Sequence, residues 1–535
     1  MIGYSKPGSR PLAAAAALLI VSAFLLALAV SAGISLASAG RLLGYDGETT
    51  NSDTSIGYFG YRVYRGQPAY TRADQPPYTP CSYGPLAYLA LGAVGRLASP
   101  ATFQSFLRDG RTFIFLLFLL IAVLAYRWAR SCGVGRLLAF SGPLFVLGDP
   151  TFFPYAAGQR PDIAALLLAL LAFYLLSTAE EPGDGRMVAA GLSIGLALLF
   201  KQSFLAAPAS AFVWLTWNRR YRSAAVLTAA ALAPVIVTIG WLEWRGEPVL
   251  YSLFLYHITL YDPRGEARLI GLLALACPTV LLQVVAGLAG LAALRRRFPA
   301  VGRLAALYLA LAAAIDLLTM AQVGAARYYL VETLTICSFL APLGLERILE
   351  HLRVSPIEQR LGVALALVAP PAICAMGLAG ALTLPLPHWS ELTALTSGRP
   401  VLSDLPYVAA QAKDPELIDT HLMSIMEVTG AWSPAPVLRQ IAAQHFDYIV
   451  LRTEPGPGGR VVYWQPYRNL ANFSPTIFRQ VQTDYRLAGP CVDRQAAVFV
   501  PRQEPRGTQL ARRLAPACGW RTEVPPGPGK SKPAP

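Results

Sequence analysis

Apolar residues run along this chain in long stretches, and most charged residues fall in the short segments between them. A helix needs roughly 20 apolar residues to cross the hydrocarbon core of a bilayer. The pattern predicts about eleven transmembrane helices, at 11–39, 112–127, 136–157, 161–177, 187–202, 203–217, 223–242, 269–293, 302–322, 328–345 and 361–384. The predicted fold class is therefore an α-helical polytopic membrane protein. The first stretch is too long for the apolar region of a cleaved signal peptide, which has about 7–15 residues.

Basic residues set the predicted orientation. With the N-terminus inside, the short inner loops hold fourteen basic residues and the short outer loops hold six. Cytoplasmic loops carry an excess of Lys and Arg, so this bias favours a cytoplasmic N-terminus. An odd number of helices then places the C-terminal stretch outside.

Two long segments lie on the predicted outer face, and they set the domain organisation. We expect a cytoplasmic N-terminus and first helix (1–39), an extracytoplasmic catalytic loop (40–111) and helices two to eleven (112–385). The loop contains an apolar stretch, Tyr83–Ala98, which we interpret as an interfacial helix because a crossing there would reverse the charge bias. Beyond the helices, the pattern predicts a small extracytoplasmic α/β domain (386–521) and a disordered tail (522–535).

Composition supports a membrane protein and argues against other classes. Hydrophobic residues make up 54% of the 535 residues and charged residues only 14%, against roughly 25% charged in an average soluble domain. Mean hydropathy is +0.44. The net charge of +14 is explained by cytoplasmic basic loops, so no nucleic-acid partner is expected. The partner surface is a lipid bilayer.

The seven cysteines form no metal-binding pattern. Cys491 and Cys518 share the outer domain and would pair if that compartment is oxidising. Cys81 has no obvious partner.

Charged residues within the apolar stretches are the first candidates for a functional site, because each costs roughly 2.5–3.5 kcal/mol to insert. Gln159-Arg160-Pro161-Asp162 opens the fourth helix, and Lys201-Gln202 interrupts the apolar run from Met187 to Trp217. Arg327-Tyr328-Tyr329 lies at the outer end of the tenth helix. Each of these three motifs also has a structural interpretation: a helix start with a local ion pair, a snorkelling lysine and an aromatic anchor. Glu332 beside the third motif, Asp149 in the third helix and Asp316 in the ninth, a weaker case, are further charges within apolar stretches.

The first outer loop is longer than a connector requires, and long ordered loops are usually functional. It carries Asp46-Gly47-Glu48 and Asp53, followed by aromatic residues and prolines. Carboxylates act as general bases on hydroxyl groups. The alternative interpretation is a solvated acidic loop.

The order of these motifs resembles the polytopic C-type (GT-C) glycosyltransferases. It begins with Asp53, Gly66-Gln67-Pro68-Ala69-Tyr70 and Pro76-Pro77-Tyr78, continues with Tyr83-Gly84-Pro85-Leu86, and ends with Arg160-Pro161-Asp162 and Lys201-Gln202. The chain is most similar to the bacterial group related to protein mannosyltransferases and lipid-A aminoarabinose transferases. The resemblance covers about residues 11–345, and the pattern from Arg399 to Leu451 is similar to the C-terminal part of that group.

The resemblance implies an enzyme that takes a sugar from a polyprenyl phosphate. Transfer would go to a lipid, glycan or protein acceptor of the cell envelope, on the outer face of the inner (plasma) membrane. An acid of the first loop would be the base, and the Gly66-Gln67 register favours Asp53 over Asp46. Arg160 and Asp162 would organise the pocket, and Lys201 and Arg327 would bind the lipid phosphate. Gln202, Tyr328 and Tyr83 would contact the substrate.

The chain departs from the family pattern beside Asp53. Many relatives have an acidic pair there, whereas Thr54 follows in this sequence. This argues against a metal at that position, and no cofactor is expected. His257, in an aromatic loop before the eighth helix, is a further candidate for contact with donor or acceptor, although a lone histidine among aromatic residues is more often structural.

Two other classes of function remain as alternatives. A transporter or lipid flippase would account for the helices and the buried charges, but it predicts internal repeats with helices broken near the midplane. A non-catalytic envelope scaffold would account for the outer C-terminal domain and would leave the long first loop unexplained.

Overall fold

The structure is a computed structural model that describes residues 10–49, 51–74, 76–178, 183–256, 261, 263–322, 327–354, 356–383, 386–455, 461–463, 474–492, 495–516 and 518. The chain forms two compact units. Unit 1 comprises residues 1–45, 52–70 and 81–385, and unit 2 comprises 46–51, 71–80 and 386–535.

Unit 1 is helical. Its helices are α1 (Arg10–Leu43), α2 (Asn51–Tyr64), α3 (Pro85–Ala98), α4 (Phe103–Ser131), α5 (Arg136–Ala139), α6 (Ser141–Gly148), α7 (Phe153–Ala156), α8 (Pro161–Ser177), α9 (Asp184–Phe200), α10 (Ala206–Trp217), α11 (Tyr221–Trp244), α12 (Val249–Tyr256), α13 (Pro263–Ala276), α14 (Pro278–Arg297), α15 (Pro299–Met320), α16 (Val331–Val354) and α17 (Ile357–Thr383). A 3₁₀ turn over Arg327–Leu330 precedes α16.

Within the described part of the chain, seven helices are long and apolar enough to cross a membrane, namely α1, α4, α11, α14, α15, α16 and α17. Shorter apolar helices accompany them, at Pro85–Ala98, Arg136–Gly148 and Pro161–Ser177. The helical membrane fold is as predicted, and the number of crossings stays a prediction. At 14 residues, α3 is shorter than the roughly 20 residues needed to span a bilayer.

Two predicted spans are wrong as continuous helices. The stretch 136–157 is divided into α5, α6 and α7, and the stretch 269–293 is divided between α13 and α14. Non-helical residues interrupt each one directly before a proline: Asp149 has φ −73° and ψ 115°, and Cys277 has φ −131° and ψ 68°. A proline ring clashes with a helical conformation of the residue before it. Hydropathy counts apolar residues and does not register these breaks.

Close helix packing in unit 1 depends on small residues. Helix α14 packs along α16, and Gly287 and Gly290 lie at this contact. A Cβ atom at Gly290 would lie 1.9 Å from the carbonyl oxygen of Leu340. Glycine lets helix backbones approach closely inside a membrane, where van der Waals packing replaces the hydrophobic effect as the source of association.

Unit 2 has an α/β architecture. Its elements are α18 (Ser390–Thr396), β1 (Val401–Ser403), α19 (Pro406–Ala409), α20 (Thr420–Val428), α21 (Ala435–Ala442), β2 (Tyr448–Pro455), β3 (Val461–Tyr463), α22 (Pro475–Asp484), β4 (Tyr485–Cys491), β5 (Ala496–Pro501) and α23 (Arg506–Leu514). The sheet order is β1-β2-β5-β4, and β3 pairs with β2. Strands β1 and β2 are parallel, and β5 is antiparallel to both β2 and β4.

The predicted small α/β domain is therefore present, and the expected disulfide joins Cys491 to Cys518. Strand β5 is buried along its whole length, as expected for a strand at the centre of a sheet covered on both faces. Cys81, the third outer cysteine, is a buried free thiol whose sulfur donates to the carbonyl oxygen of Ala69.

Candidate active site

The start of α8 is shaped by its sequence. Arg160 is the N-cap residue in an extended conformation, Pro161 occupies the first helical position, and Asp162 lies in the first turn. Proline suits this position because its missing N–H would have no partner there. A carboxylate in the first turn is stabilised by the positive end of the helix dipole.

Asp162 is the centre of a buried ion cluster. Its Oδ1 accepts a hydrogen bond from Lys201 Nζ, and its Oδ2 lies 3.4 Å from Arg160 Nε. Exposed fractions of the side chains are 4% for Asp162, 8% for Lys201 and 0% for Arg160. Buried charges persist only when they are paired, so these three groups stabilise one another. The cluster has two cations and one anion.

Lys201 owes its position to the end of α9. The helix stops at Phe200, and Lys201 follows with an extended backbone, φ −149° and ψ 115°. The next side chain, Gln202, donates through Nε2 to the carbonyl oxygen of Ser82 at 3.0 Å. Close to this contact, a Cβ atom at Gly84 would lie 2.2 Å from the carbonyl oxygen of Leu199. The loop before α3 therefore packs directly against the end of α9.

Aromatic rings cover the cations of the cluster. The guanidinium carbon of Arg160 is 4.2 Å from the ring centre of Tyr328, and Lys201 Nζ is 4.9 Å from that of Tyr329. The ring centre of Tyr155 is 5.5 Å from the guanidinium carbon of Arg160, and it lies 4.4 Å from that of Tyr328. Such cation–π contacts hold a guanidinium or ammonium group in an apolar environment.

A narrow cleft opens beside this cluster. It is lined by Asp162, Lys201, Ser203, Phe204, Ile315, Asp316, Thr319, Tyr328, Tyr329, Val331 and Glu332. Three predicted site residues, Asp162, Lys201 and Tyr328, thus share one cleft. Asp316 and Glu332 were noted in the sequence as charges within apolar stretches, but neither was given a role in the predicted site.

Asp53 lies in the first turn of α2 and is fully buried. Its Oδ2 accepts from Arg111 Nε at 3.0 Å and Nη2 at 2.6 Å. Its Oδ1 accepts from the backbone N–H of Gln159 at 2.6 Å. Asp53 therefore ties α2 to α4 and to the start of α8, which is a positioning arrangement. Its predicted role as base stays a prediction.

Arg111 is a residue that the sequence reasoning missed. It is 1% exposed and also donates from Nη1 to the carbonyl oxygen of Tyr45 at 2.7 Å. The residue before Asp53 continues the network, because the Ser52 hydroxyl accepts a hydrogen bond from Arg160. Two neighbouring residues of α2 thereby contact two neighbouring residues at the start of α8.

Asp46, the alternative base, belongs to unit 2. It accepts a hydrogen bond from the hydroxyl of Tyr407, and Glu48 forms an ion pair with Arg452. Both acids of the Asp46-Gly47-Glu48 motif are therefore engaged by side chains that lie beyond the helices in sequence. Its role as base also stays a prediction.

Tyr83 is buried just before α3. Its carbonyl oxygen accepts from the hydroxyl of Tyr70 at 2.6 Å. Burial raises the pKa of Tyr83, and the nearby positive charge of Arg160 opposes that shift. Tyr83 is therefore a neutral phenol close to the ion cluster.

Two candidates fall where the structure gives no side-chain description. His257 lies outside the described residues. Arg327 has a described backbone, in the 3₁₀ turn before α16, but its side chain is not among those described. Their predicted substrate contacts stay predictions.

Part of the chain matches a known protein family. Residues 102–244 match the family of dolichyl-phosphate-mannose-protein mannosyltransferases. Among curated protein sequences, none matches the chain.

Solved structures extend the relationship to the fold. ArnT from Cupriavidus metallidurans in the apo state has 13% identity and a TM-score of 0.56, covering 91% of this chain and 98% of that one. The same protein bound to undecaprenyl phosphate has 12% identity and a TM-score of 0.54, covering 89% and 97%. The apo oligosaccharyltransferase of Archaeoglobus fulgidus has 12% identity and a TM-score of 0.51, covering 88% and 79%. The match to the same oligosaccharyltransferase in complex with zinc and sulfate covers 70% of this chain and 55% of that one.

These matches confirm the predicted resemblance to polytopic C-type glycosyltransferases. They also confirm a multi-pass membrane fold. At 12–13% identity the solved structures show similarity of fold alone. The family match covers the region from the start of α4 to the end of α11.

Proposed function

We propose that this protein is a membrane glycosyltransferase that moves a sugar from a polyprenyl phosphate to a cell-envelope acceptor on the extracytoplasmic face. The observation that carries the proposal is the cluster of Asp162, Lys201 and Arg160, buried under Tyr328 and Tyr329 and open to a cleft. The family match supports the same activity. A related fold holds undecaprenyl phosphate in ArnT, which supports a polyprenyl-phosphate donor.

Charge in the cluster supports a phosphate partner. Arg160 and Lys201 contribute two positive charges and Asp162 one negative charge, so these three groups alone leave one positive charge for an anion. The carboxyl groups of Asp316 and Glu332, which line the same cleft, lie outside this count. Lysine binds phosphate as a point charge and arginine as a fork. We assign the lipid phosphate to Lys201, with Arg327 as a second contact and Arg160 and Asp162 holding Lys201 in place.

The reaction has a simple balance. An acceptor hydroxyl oxygen attacks the anomeric carbon, the bond from that carbon to the phosphate oxygen breaks, and the phosphate leaves with the electron pair. The hydroxyl proton goes to a carboxylate, for which Asp53 is our candidate and Asp46 the alternative. Lys201 offsets the charge that grows on the phosphate, and preorganised charges of this kind stabilise transition states. For Asp53 to take the proton, it must release a hydrogen bond from Gln159 or Arg111.

The proposal also places the N-terminus in the cytoplasm and unit 2 on the extracytoplasmic side. Fourteen basic residues in the predicted inner loops against six in the predicted outer loops favour a cytoplasmic N-terminus. The disulfide between Cys491 and Cys518 supports an extracytoplasmic unit 2, since disulfides persist in oxidising compartments.

The test is sugar transfer in liposomes that contain the purified full-length protein. The substrates are a panel of radiolabelled polyprenyl-phosphate sugars and a delipidated envelope extract. We expect transfer by the wild type and a loss of roughly 10²–10⁴-fold in Asp53→Asn, which is the usual contribution of a general base. Lys201→Gln should lose activity through weaker donor binding.

A matched control is Asp184→Asn, which removes an exposed carboxylate paired with Arg222 and should leave transfer unchanged. Full transfer by Asp53→Asn would move the base to Asp46 or Asp162. Failure of folded wild-type protein to consume any donor would overturn the proposed activity in favour of a transporter or a scaffold.

A further inference from the structure

Two buried carboxylates in the cleft have no part in the reaction described above. Asp316 lies in α15 and Glu332 in the first turn of α16. They are 6% and 2% exposed, and both line the same cleft as Lys201. Buried carboxylates are costly unless they are paired or hydrogen-bonded, so their contacts show whether packing alone accounts for them.

Packing accounts for one oxygen of each carboxylate. Asp316 Oδ2 accepts from the N–H and the hydroxyl of Thr333, at 3.0 and 2.7 Å. It thereby satisfies an N–H group in the first turn of α16, which has no partner within its own helix. Glu332 Oε1 accepts from the hydroxyl of Tyr308 at 2.7 Å.

The second oxygen of each carboxylate is left over. Across the described residues, Asp316 Oδ1 and Glu332 Oε2 receive no hydrogen bond. Both of these oxygens belong to groups that line one cleft. This pattern suits a ligand that brings its own hydrogen-bond donors.

We propose that Asp316 and Glu332 bind hydroxyl groups of the donor sugar. This assignment rests on the proposed function and deepens it. In a polyprenyl-phosphate sugar the phosphate is bonded to the anomeric carbon, so a phosphate at Lys201 places the sugar in the adjoining part of the cleft. The cleft has a volume of about 10 Å³ in this structure, roughly that of one water molecule, so it must widen to admit the sugar. A carboxyl group accepts hydrogen bonds from hydroxyls when ionised, and it can also donate one when protonated. The rings of Tyr328 and Tyr329, which line the cleft as well, offer flat apolar faces to the C–H groups of a sugar.

The experiment compares two probes on the full-length protein in nanodiscs. One is undecaprenyl phosphate, and the other is the same lipid carrying the sugar that the wild type transfers. Asp316→Asn and Glu332→Gln should each raise the Kd for the sugar-bearing lipid at least about tenfold, the scale of a lost hydrogen bond to a charged group. Both should change the Kd for the bare lipid less than about twofold, because they leave the phosphate contacts intact. Lys201→Gln should weaken both lipids, and Asp184→Asn should change neither.

A donor analogue that lacks one hydroxyl gives a second readout. If that hydroxyl meets Asp316 or Glu332, the analogue binds the wild type weakly and becomes insensitive to substitution of that carboxylate. Should the carboxylate variants fail to fold, Tyr308→Phe takes their place. It removes only the hydroxyl that positions Glu332, and we expect a loss of about fivefold, confined to the sugar-bearing lipid.

Several outcomes would overturn the assignment. Equal weakening of both lipids would mean that the carboxylates act only through packing, and unchanged binding of both lipids would exclude any sugar contact. Wild-type protein that binds neither lipid would overturn the proposed function and this assignment with it. Wild-type transfer combined with unaltered lipid selectivity in the variants would overturn this assignment alone.

Discussion

Arg111 and Asp53 form a fully buried ion pair between α4 and α2. Two guanidinium nitrogens of Arg111 donate to the same carboxylate oxygen, at 3.0 and 2.6 Å. The side chains are 1% and 0% exposed. This pair fixes α2 against α4, directly beside the start of α8.

Replacing Arg111 alone should lower the stability of the protein more than replacing Arg111 and Asp53 together. Arg111→Met leaves the Asp53 carboxylate buried without its cation, and breaking a buried pair in this way costs about 3–5 kcal/mol of unfolding free energy. We expect a marked fall in Tm of the purified protein in detergent, measured by intrinsic fluorescence.

The matching double variant is Arg111→Met with Asp53→Leu, which replaces the pair by apolar groups and should recover much of the lost stability. If Arg111→Met alone leaves Tm unchanged, the ion pair has no structural role. Transfer activity would separate the roles further, because a base is lost in the double variant even when stability returns.

Close contact between α14 and α16 should make Gly290 intolerant of any side chain. Gly290→Ala places a Cβ atom 1.9 Å from the carbonyl oxygen of Leu340, so the helices must separate. Overpacking of this kind costs about 1–3 kcal/mol. The readout is the Tm in detergent. Gly240→Ala in α11 is the control, since no atom lies within 4 Å of the added Cβ, and an equal effect of both substitutions would contradict the packing argument.

Cross-linking of Cys491 to Cys518 should stabilise unit 2. The two residues are 27 apart in sequence, and closing a loop of that length is worth about 3.5 kcal/mol in the chain-entropy model. We expect the paired Cys491→Ser and Cys518→Ser substitutions to make unit 2 much more sensitive to limited proteolysis. Peptide mapping without reductant should recover the linked peptides from the wild type. Free thiols at both positions there would contradict the assignment.

Acidification should destabilise unit 2 through His421 in α20. Burial lowers the pKa of His421 from its ordinary value of 6.5, so the folded state favours the neutral imidazole. As pH falls below 6.5, the unfolded chain takes up the proton first, and stability is lost down through the folded pKa. Protease sensitivity of unit 2 should therefore rise between pH 7 and pH 5 in the wild type. It should rise less in His421→Gln, and identical pH profiles would exclude this histidine as the cause.

Much of the site was predictable because membrane insertion makes charge conspicuous. Asp162 and Lys201 were singled out as charges within apolar stretches, and the structure joins them in one ion pair. Arg160 was predicted in the same way and Tyr328 as part of the Arg327-Tyr328-Tyr329 motif. The guanidinium carbon of Arg160 is 4.2 Å from the ring centre of Tyr328. Arg111 was not predicted as a site residue, because a basic residue beside one end of an apolar stretch is common in membrane proteins and did not stand out.

By itself the sequence determined the membrane class, the region of the small α/β domain and the residues worth suspecting. These follow from local quantities, namely the length of an apolar stretch, the alternation within a strand and the cost of a lone charge in hydrocarbon. Tertiary structure alone decided which charges meet. In the folded protein Asp53 forms an ion pair with Arg111, and Asp46 accepts a hydrogen bond from Tyr407. Asp316 and Glu332 line the same cleft as Lys201. The physical reason is that a buried charge must find a partner, and the partner comes from whichever element packs beside it, however distant in sequence.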